Sequence, residues 1–147
     1  MPAKDTEQFT NSLSKADDIE DFVRKHDNDF RIRKSSLVGY LQHLLEEKKL
    51  SKKQVIQESQ LDEVYAYHIF AGRKNSSREN ILSLALAMNL SPKETDYLLY
   101  YAGHKKIYTY NKWDSIIFFA LTNHKSVLET NDFLTDLKLS PLLGKLS

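Results

Sequence analysis

With 147 residues, no cysteine and a net charge of +1, the chain is excluded from several classes at once. It has no disulfide, thiolate metal site or cysteine nucleophile, and no bulk positive charge to drive it onto a polyanion. Glycine and proline are scarce, at four and three. Apolar residues recur at helical rather than alternating spacing, so an all-α fold is expected.

The chain begins Met1-Pro2-Ala3-Lys4-Asp5-Thr6-Glu7, which is polar and lacks the apolar core of a secretory signal. Next come two short amphipathic fragments, one carried by Phe9 and Leu13, the other by Ile19, Phe22 and Val23. A first strong helix is expected from about Leu37 to Lys49, because Leu37, Tyr40, Leu41 and Leu44 form one stripe. A second runs from Lys52 to about Glu58. A third covers about Glu63 to Phe70 and ends near Gly72, a natural left-handed cap. A fourth runs from Arg78 to about Met88. Its stripe of Ile81, Leu84, Ala85 and Met88, widened by Leu82 and Leu86, makes it the most buried. A fifth spans Pro92 to Ala102 and stops at Gly103.

After a polar loop, Lys112 to Thr122 reads as a helix whose stretch Ile116 to Leu121 is apolar all round, and so covered on several sides. That run is far shorter than a membrane span. Val127 to about Lys138 follows, with Leu128, Leu134 and Leu137 inward. Helix starts are marked by the boxes Ser51…Gln54, Ser76…Glu79, Ser91…Glu94 and Ser126…Glu129. In each the serine oxygen can accept a free backbone N–H and the Glu or Gln can reach back. Pro92 suits the first helical position.

The informative stretch is Ser51 to Gly72, SKKQVIQESQLDEVYAYHIFAG. A capped short helix meets a tight connection at Ser59-Gln60-Leu61, and Asp62 can cap a second short helix. Flanked by the helix before and the two after, this stretch resembles the XRE/Cro family, the lambda-repressor-like DNA-binding domain, over about Leu37 to Leu99. The carriers are Ser51, Val55, Leu61, Ile69, Phe70, Gly72, Ile81, Leu84, Ala85 and Leu90, with the run FAGRKNSSRENILSLALAMNLS. Two positions depart from the family's pattern. The usual small residue in helix 2 and larger one in helix 3 are exchanged, as Ile56 and Ala66, a nearly volume-conserving swap. The turn carries Gln60 in place of glycine, at a cost on the order of 1 kcal/mol for a left-handed backbone.

The resemblance implies a five-helix helix-turn-helix domain over residues 35–103. A short N-terminal helical extension would occupy residues 1–34, and a C-terminal extension 104–147. It implies that the recognition helix, about 62–70, lies in the major groove while the helix before it crosses the backbone. Lys52, Lys53, Arg73 and Lys74 would hold phosphate, and Glu63, Val64, Tyr67 and His68 would face base edges. Glu63 can accept from cytosine N4 and Val64 can meet a thymine methyl. Asp62 would cap the helix at its DNA-facing end. The partner is double-stranded DNA. A second reading keeps the scaffold but makes it a protein-interaction adaptor or antirepressor-like regulator, favoured by the near-neutral charge and the acidic start of the recognition helix.

Other residues have plainer readings. Lysines 48, 49, 52 and 53 are either a phosphate patch or an ordinary solvated turn. Tyr97, Tyr100, Tyr101, Tyr108 and Tyr110 read as half-buried packing rather than base-stacking platforms. The histidines at 26, 43, 68, 104 and 124 form no ligand pair, so no metal is expected. Glu46-Glu47 and Asp17-Asp18 are adjacent and diverge on a helix. With no Gly-rich phosphate loop, G-x-S-x-G or HExxH, no enzyme and no cofactor are expected. Ile116, Ile117, Phe118 and Phe119 form either a homodimer face or an intramolecular extension of the core. The expected setting is the cytoplasm, with no membrane.

Overall fold

The structure, a computed structural model, describes residues 6–27 and 36–142. Among these residues it is all-helical, with nine helices and no strand. Among the described residues no helix is long and apolar enough to cross a membrane. The expected boundary between residues 34 and 35 lies outside the described residues.

Helices α1 (Thr6–Ser14) and α2 (Ile19–Lys25) form a hairpin closed by rings. Phe9 meets Phe22 edge-on at 5.4 Å, and His26 stacks on Phe22 at 4.1 Å. Asp18 caps α2 by accepting from the Glu20 N–H at 3.0 Å. Of the residues expected to form an apolar face here, only Phe22 is buried, while Ile19 and Val23 stay exposed.

The core belongs to α3 (Ser36–Glu47), α4 (Lys52–Ser59), α5 (Glu63–Phe70), α6 (Arg78–Ala87), α7 (Pro92–Tyr101), α8 (Lys112–Thr122) and α9 (Val127–Asp136). Helix α6 is the hub and touches α4, α7, α8 and α9. The expectation that it is the most buried holds: Ile81 through Ala87 are all buried, as is Met88 after them. Helix α3 packs against α5 and α7. The interior is one apolar cluster from Tyr40 to Leu142, so residues beyond 103 share the core of those before it.

Helix starts follow the caps, with one shift. Ser91 and Ser126 make complete boxes with Glu94 and Glu129. In both helices a buried threonine, Thr95 or Thr130, donates back to the cap carbonyl at 2.8 and 2.7 Å. Ser51 accepts from the Gln54 N–H at 3.3 Å. The expected Ser76…Glu79 box is not formed. Ser77 caps α6 instead, accepting from the Asn80 N–H at 3.2 Å, and Ser76 turns inward and is buried.

Two expectations for the last helices are corrected by helical phase. On α9, Val127, Thr130 and Leu134 form the inward row, which leaves Leu128 and Leu137 exposed. On α8, Asp114, Ile117, Ala120 and Leu121 face the core. Phe118 and Phe119 lie on the outer side and are 40% and 50% exposed, so the run is not covered all round.

Candidate nucleic-acid interface

Helix α4 buries Val55 and Ile56 and turns Lys52, Lys53, Gln54 and Gln57 outward. The connection to α5, expected at Ser59-Gln60-Leu61, is set by Ser59, whose full burial the sequence did not announce. Its hydroxyl donates to the Ile56 carbonyl at 2.6 Å and accepts from the Leu61 N–H at 3.2 Å. Gln60 takes the expected left-handed conformation, with φ 65°. Asp62 caps α5 as expected, accepting from the Tyr65 N–H at 3.0 Å. The exchanged pair Ile56 and Ala66 are both buried, as a compensated swap requires.

Ala66, Ile69 and Phe70 anchor α5, and Glu63, Val64 and Tyr67 stand on its outer side. Val64 is 63% exposed, unusual for a β-branched residue on a packed helix. His68 is half-buried. The Lys52 ammonium sits 5.7 Å from the Phe70 ring centroid, a cation–π contact between the start of α4 and the end of α5. Arg73 and Lys74 follow Gly72 and are exposed, as are Lys52 and Lys53. No ion pair among the described residues ties up any of these cations. Lys48 differs: its ammonium pairs with Glu94 at 3.1 Å, which removes it from a phosphate patch.

The loop carrying Arg73 and Lys74 is held by residues that sequence reading does not single out. Tyr65 donates its hydroxyl proton to the Asn75 carbonyl at 3.3 Å and accepts from Asn80 at 3.1 Å. His104 Nε2 lies 2.6 Å from the Ser76 carbonyl. Beside it, Arg78 grips Asp114 with two bonds of 3.0 and 2.8 Å, and donates to the Lys105 and Lys106 carbonyls at 3.0 and 3.2 Å. Burial pushes the Asp114 carboxyl up, but bonds from Arg78 and the Tyr108 N–H outweigh this and hold it below its ordinary value. Asp96 is raised, chiefly by burial, despite accepting from the Ile107 N–H at 2.9 Å. A cavity of about 260 Å³ opens beside Arg78, Lys105, Tyr108 and Trp113, but its strongest charges, Arg78 and Asp114, neutralise each other.

The tyrosines divide. Tyr40 is buried, Tyr97 and Tyr101 pack half-buried against it, and Tyr100, Tyr108 and Tyr110 are exposed. The expectation of half-buried packing therefore fails for the last three. Among the described residues no group of three or more His, Asp or Glu side chains is placed to hold a metal. In comparisons with family models, curated proteins and solved structures, the chain matches none.

Proposed function

We propose that the chain is a cytoplasmic DNA-binding transcriptional regulator, not an enzyme. In this reading α3 to α7 are a lambda-repressor-like unit of the XRE/Cro type, and α5 enters the major groove. The observation that carries it is the outer side of α5. Glu63, Val64 and Tyr67 are exposed together, and Lys52, Lys53, Arg73 and Lys74 are exposed too, with Lys52 against Phe70 at the end of α5, just before Arg73 and Lys74. An apolar tip suits a thymine methyl, a carboxylate suits cytosine N4, and exposed cations beside them suit backbone phosphate. Asp62 is occupied by its cap, so its charge is partly spent on the helix N-terminus rather than set against the DNA.

The competing reading is a protein-contact surface. Asp62 and Glu63 at the start of α5 and a net charge of only +1 favour it. Fluorescence anisotropy on a random duplex pool, titrated with salt, separates the two. The DNA reading expects binding that weakens as salt rises, and K52E/K53E should weaken it on all sequences alike. The slope of log K against log salt should fall by roughly 0.9 for each phosphate that the variant no longer neutralises. No binding at low salt moves the function to a protein partner.

A further inference from the structure

We infer that the loop of residues 103–111 is a second contact surface for duplex DNA, with Lys105, Lys106 and Tyr110 as its contact residues. This rests on the reading of α4 and α5 as the primary DNA contact. The bond that joins the two surfaces runs from His104 Nε2 to the Ser76 carbonyl at 2.6 Å. A carbonyl only accepts, so Nε2 carries a proton and donates. Ser76 lies two residues beyond Lys74, so this bond sets the 103–111 loop directly beside the one that bears Arg73 and Lys74.

The loop is built to present side chains, not to bury them. Among residues 105–111 only Ile107 is buried. Lys105 and Lys106 are exposed, Tyr108 is 61% exposed and Tyr110 89%, with the two rings 5.7 Å apart. The backbone is nevertheless fixed at four consecutive residues. Arg78 donates to the carbonyls of Lys105 and Lys106, Asp96 accepts from the Ile107 N–H, and Asp114 accepts from the Tyr108 N–H at 2.8 Å. Arg78 holds the two lysines by their main chain alone, and neither ammonium makes an ion pair among the described residues.

A loop ordered in advance loses little entropy when its cations meet a ligand. Two exposed ammonium groups, on a loop bonded to the one that bears Arg73 and Lys74, give the polyanion further phosphate contacts. Exposed tyrosines add hydroxyl donors to phosphate or sugar. Bulk charge does not supply this affinity, so a second patch of fixed cations is what a chain of +1 needs to hold a polyanion.

The test compares the unaltered protein, K52E/K53E and K105Q/K106Q by anisotropy, on random duplexes of about one and two helical turns, roughly 10 and 20 base pairs. Circular dichroism melting checks that each variant stays folded, and Arg78 still finds its carbonyls when the two side chains change. On the longer duplex K105Q/K106Q should weaken binding roughly tenfold or more at about 0.1 M salt and lower the salt slope by up to about 1.8. On the shorter duplex the loss should be smaller. If K52E/K53E weakens binding while K105Q/K106Q matches the unaltered protein on both duplexes, the second surface is overturned and the primary reading stands. If only K105Q/K106Q weakens binding, the loop contact stands and the reading of α4 and α5 falls. If the unaltered protein binds neither duplex, both fall together.

Discussion

After α5 the chain turns on Gly72 at φ 78°, and after α7 it turns on Gly103 at φ 82°. Both turns close with the same bond: the Arg73 N–H reaches the His68 carbonyl, and the His104 N–H reaches the Leu99 carbonyl, each at 2.9 Å. Both then expose basic residues. Beyond that the two loops are held by different forces. Gly72 is wedged against α3, where an added Cβ would lie 2.9 Å from Val38 Cγ2, while Gly103 has nothing within 4 Å of that point. The first loop is therefore placed by packing and by hydrogen bonds from Tyr65 and His104. The second is placed by charge, through Arg78, Asp96 and Asp114. One backbone motif ends a helix in either case, but only the surroundings decide where the following side chains point.

The largest effect should come from breaking the charged anchor. Arg78 and Asp114 are 16% and 6% exposed at their side chains, so removing either leaves the other buried and unpaired. R78A and D114A should each destabilise the fold by about 3–5 kcal/mol, read by chemical denaturation at neutral pH. The pair also carries a pH signature. The Asp114 carboxyl is held below its ordinary value of 3.8, so the unfolded chain binds that proton more tightly and acid favours unfolding. Its stabilisation is complete above 3.8 and fades as pH falls through the folded value. D114A should flatten the acid limb of stability against pH. A loss under about 1 kcal/mol, as for an exposed ion pair, would mean that charge does not hold the second loop.

That asymmetry also decides what could be read in the sequence. Helices α4 and α5 and the turn that ends them depend on short-range signals: Ser51, Asp62 and Gly72 mark caps, and Val55, Ala66 and Ile69 keep helical phase. Those signals place Lys52, Lys53, Glu63, Val64, Tyr67, Arg73 and Lys74 where the structure exposes them. The second loop depends on partners far apart in the chain. Arg78 and Asp114 are 36 positions apart, and His104 and Ser76 are 28 apart, and no local pattern announces such pairings. Tyr108 and Tyr110 escape a sequence reading for the same reason. Composition marks an aromatic residue as a candidate for packing, but the fixed backbone of this loop turns those rings outward. Leu128, Leu137, Phe118 and Phe119 show a related limit, since an apolar run gives no phase until its neighbours choose one.

A smaller effect separates the two glycines. G72A and G103A share the cost of a left-handed backbone, roughly 1–2 kcal/mol. Only G72A adds overpacking against Val38, about 1–3 kcal/mol more. G72A should therefore melt well below G103A, and V38A should recover part of the difference in G72A while doing nothing for G103A. Equal melting shifts would show that α3 yields at Val38 and that the first loop is not wedged. In a DNA-binding assay G72A should also cost affinity in a folded sample, because Arg73 and Lys74 follow directly on the turn.

The smallest effect lies at the turn between α4 and α5, where Gln60 holds φ 65° without being glycine. The strain sits in the Cβ. Q60A keeps that Cβ and should gain no stability, losing only the long 3.4 Å bond from Gln60 Nε2 to the Gln57 carbonyl. Q60G removes the strain but also frees the unfolded chain, and these oppose each other at about 1 kcal/mol each. The net gain should be a few tenths of a kcal/mol at most, seen as a small rise in melting temperature. A clear loss in Q60G would show that the backbone was not strained and that the buried Ser59 hydroxyl, bonded on both sides of the turn, already sets its conformation. Q60G therefore measures whether this connection is held from inside by a side chain, as the loop after α7 is, or by backbone preference alone.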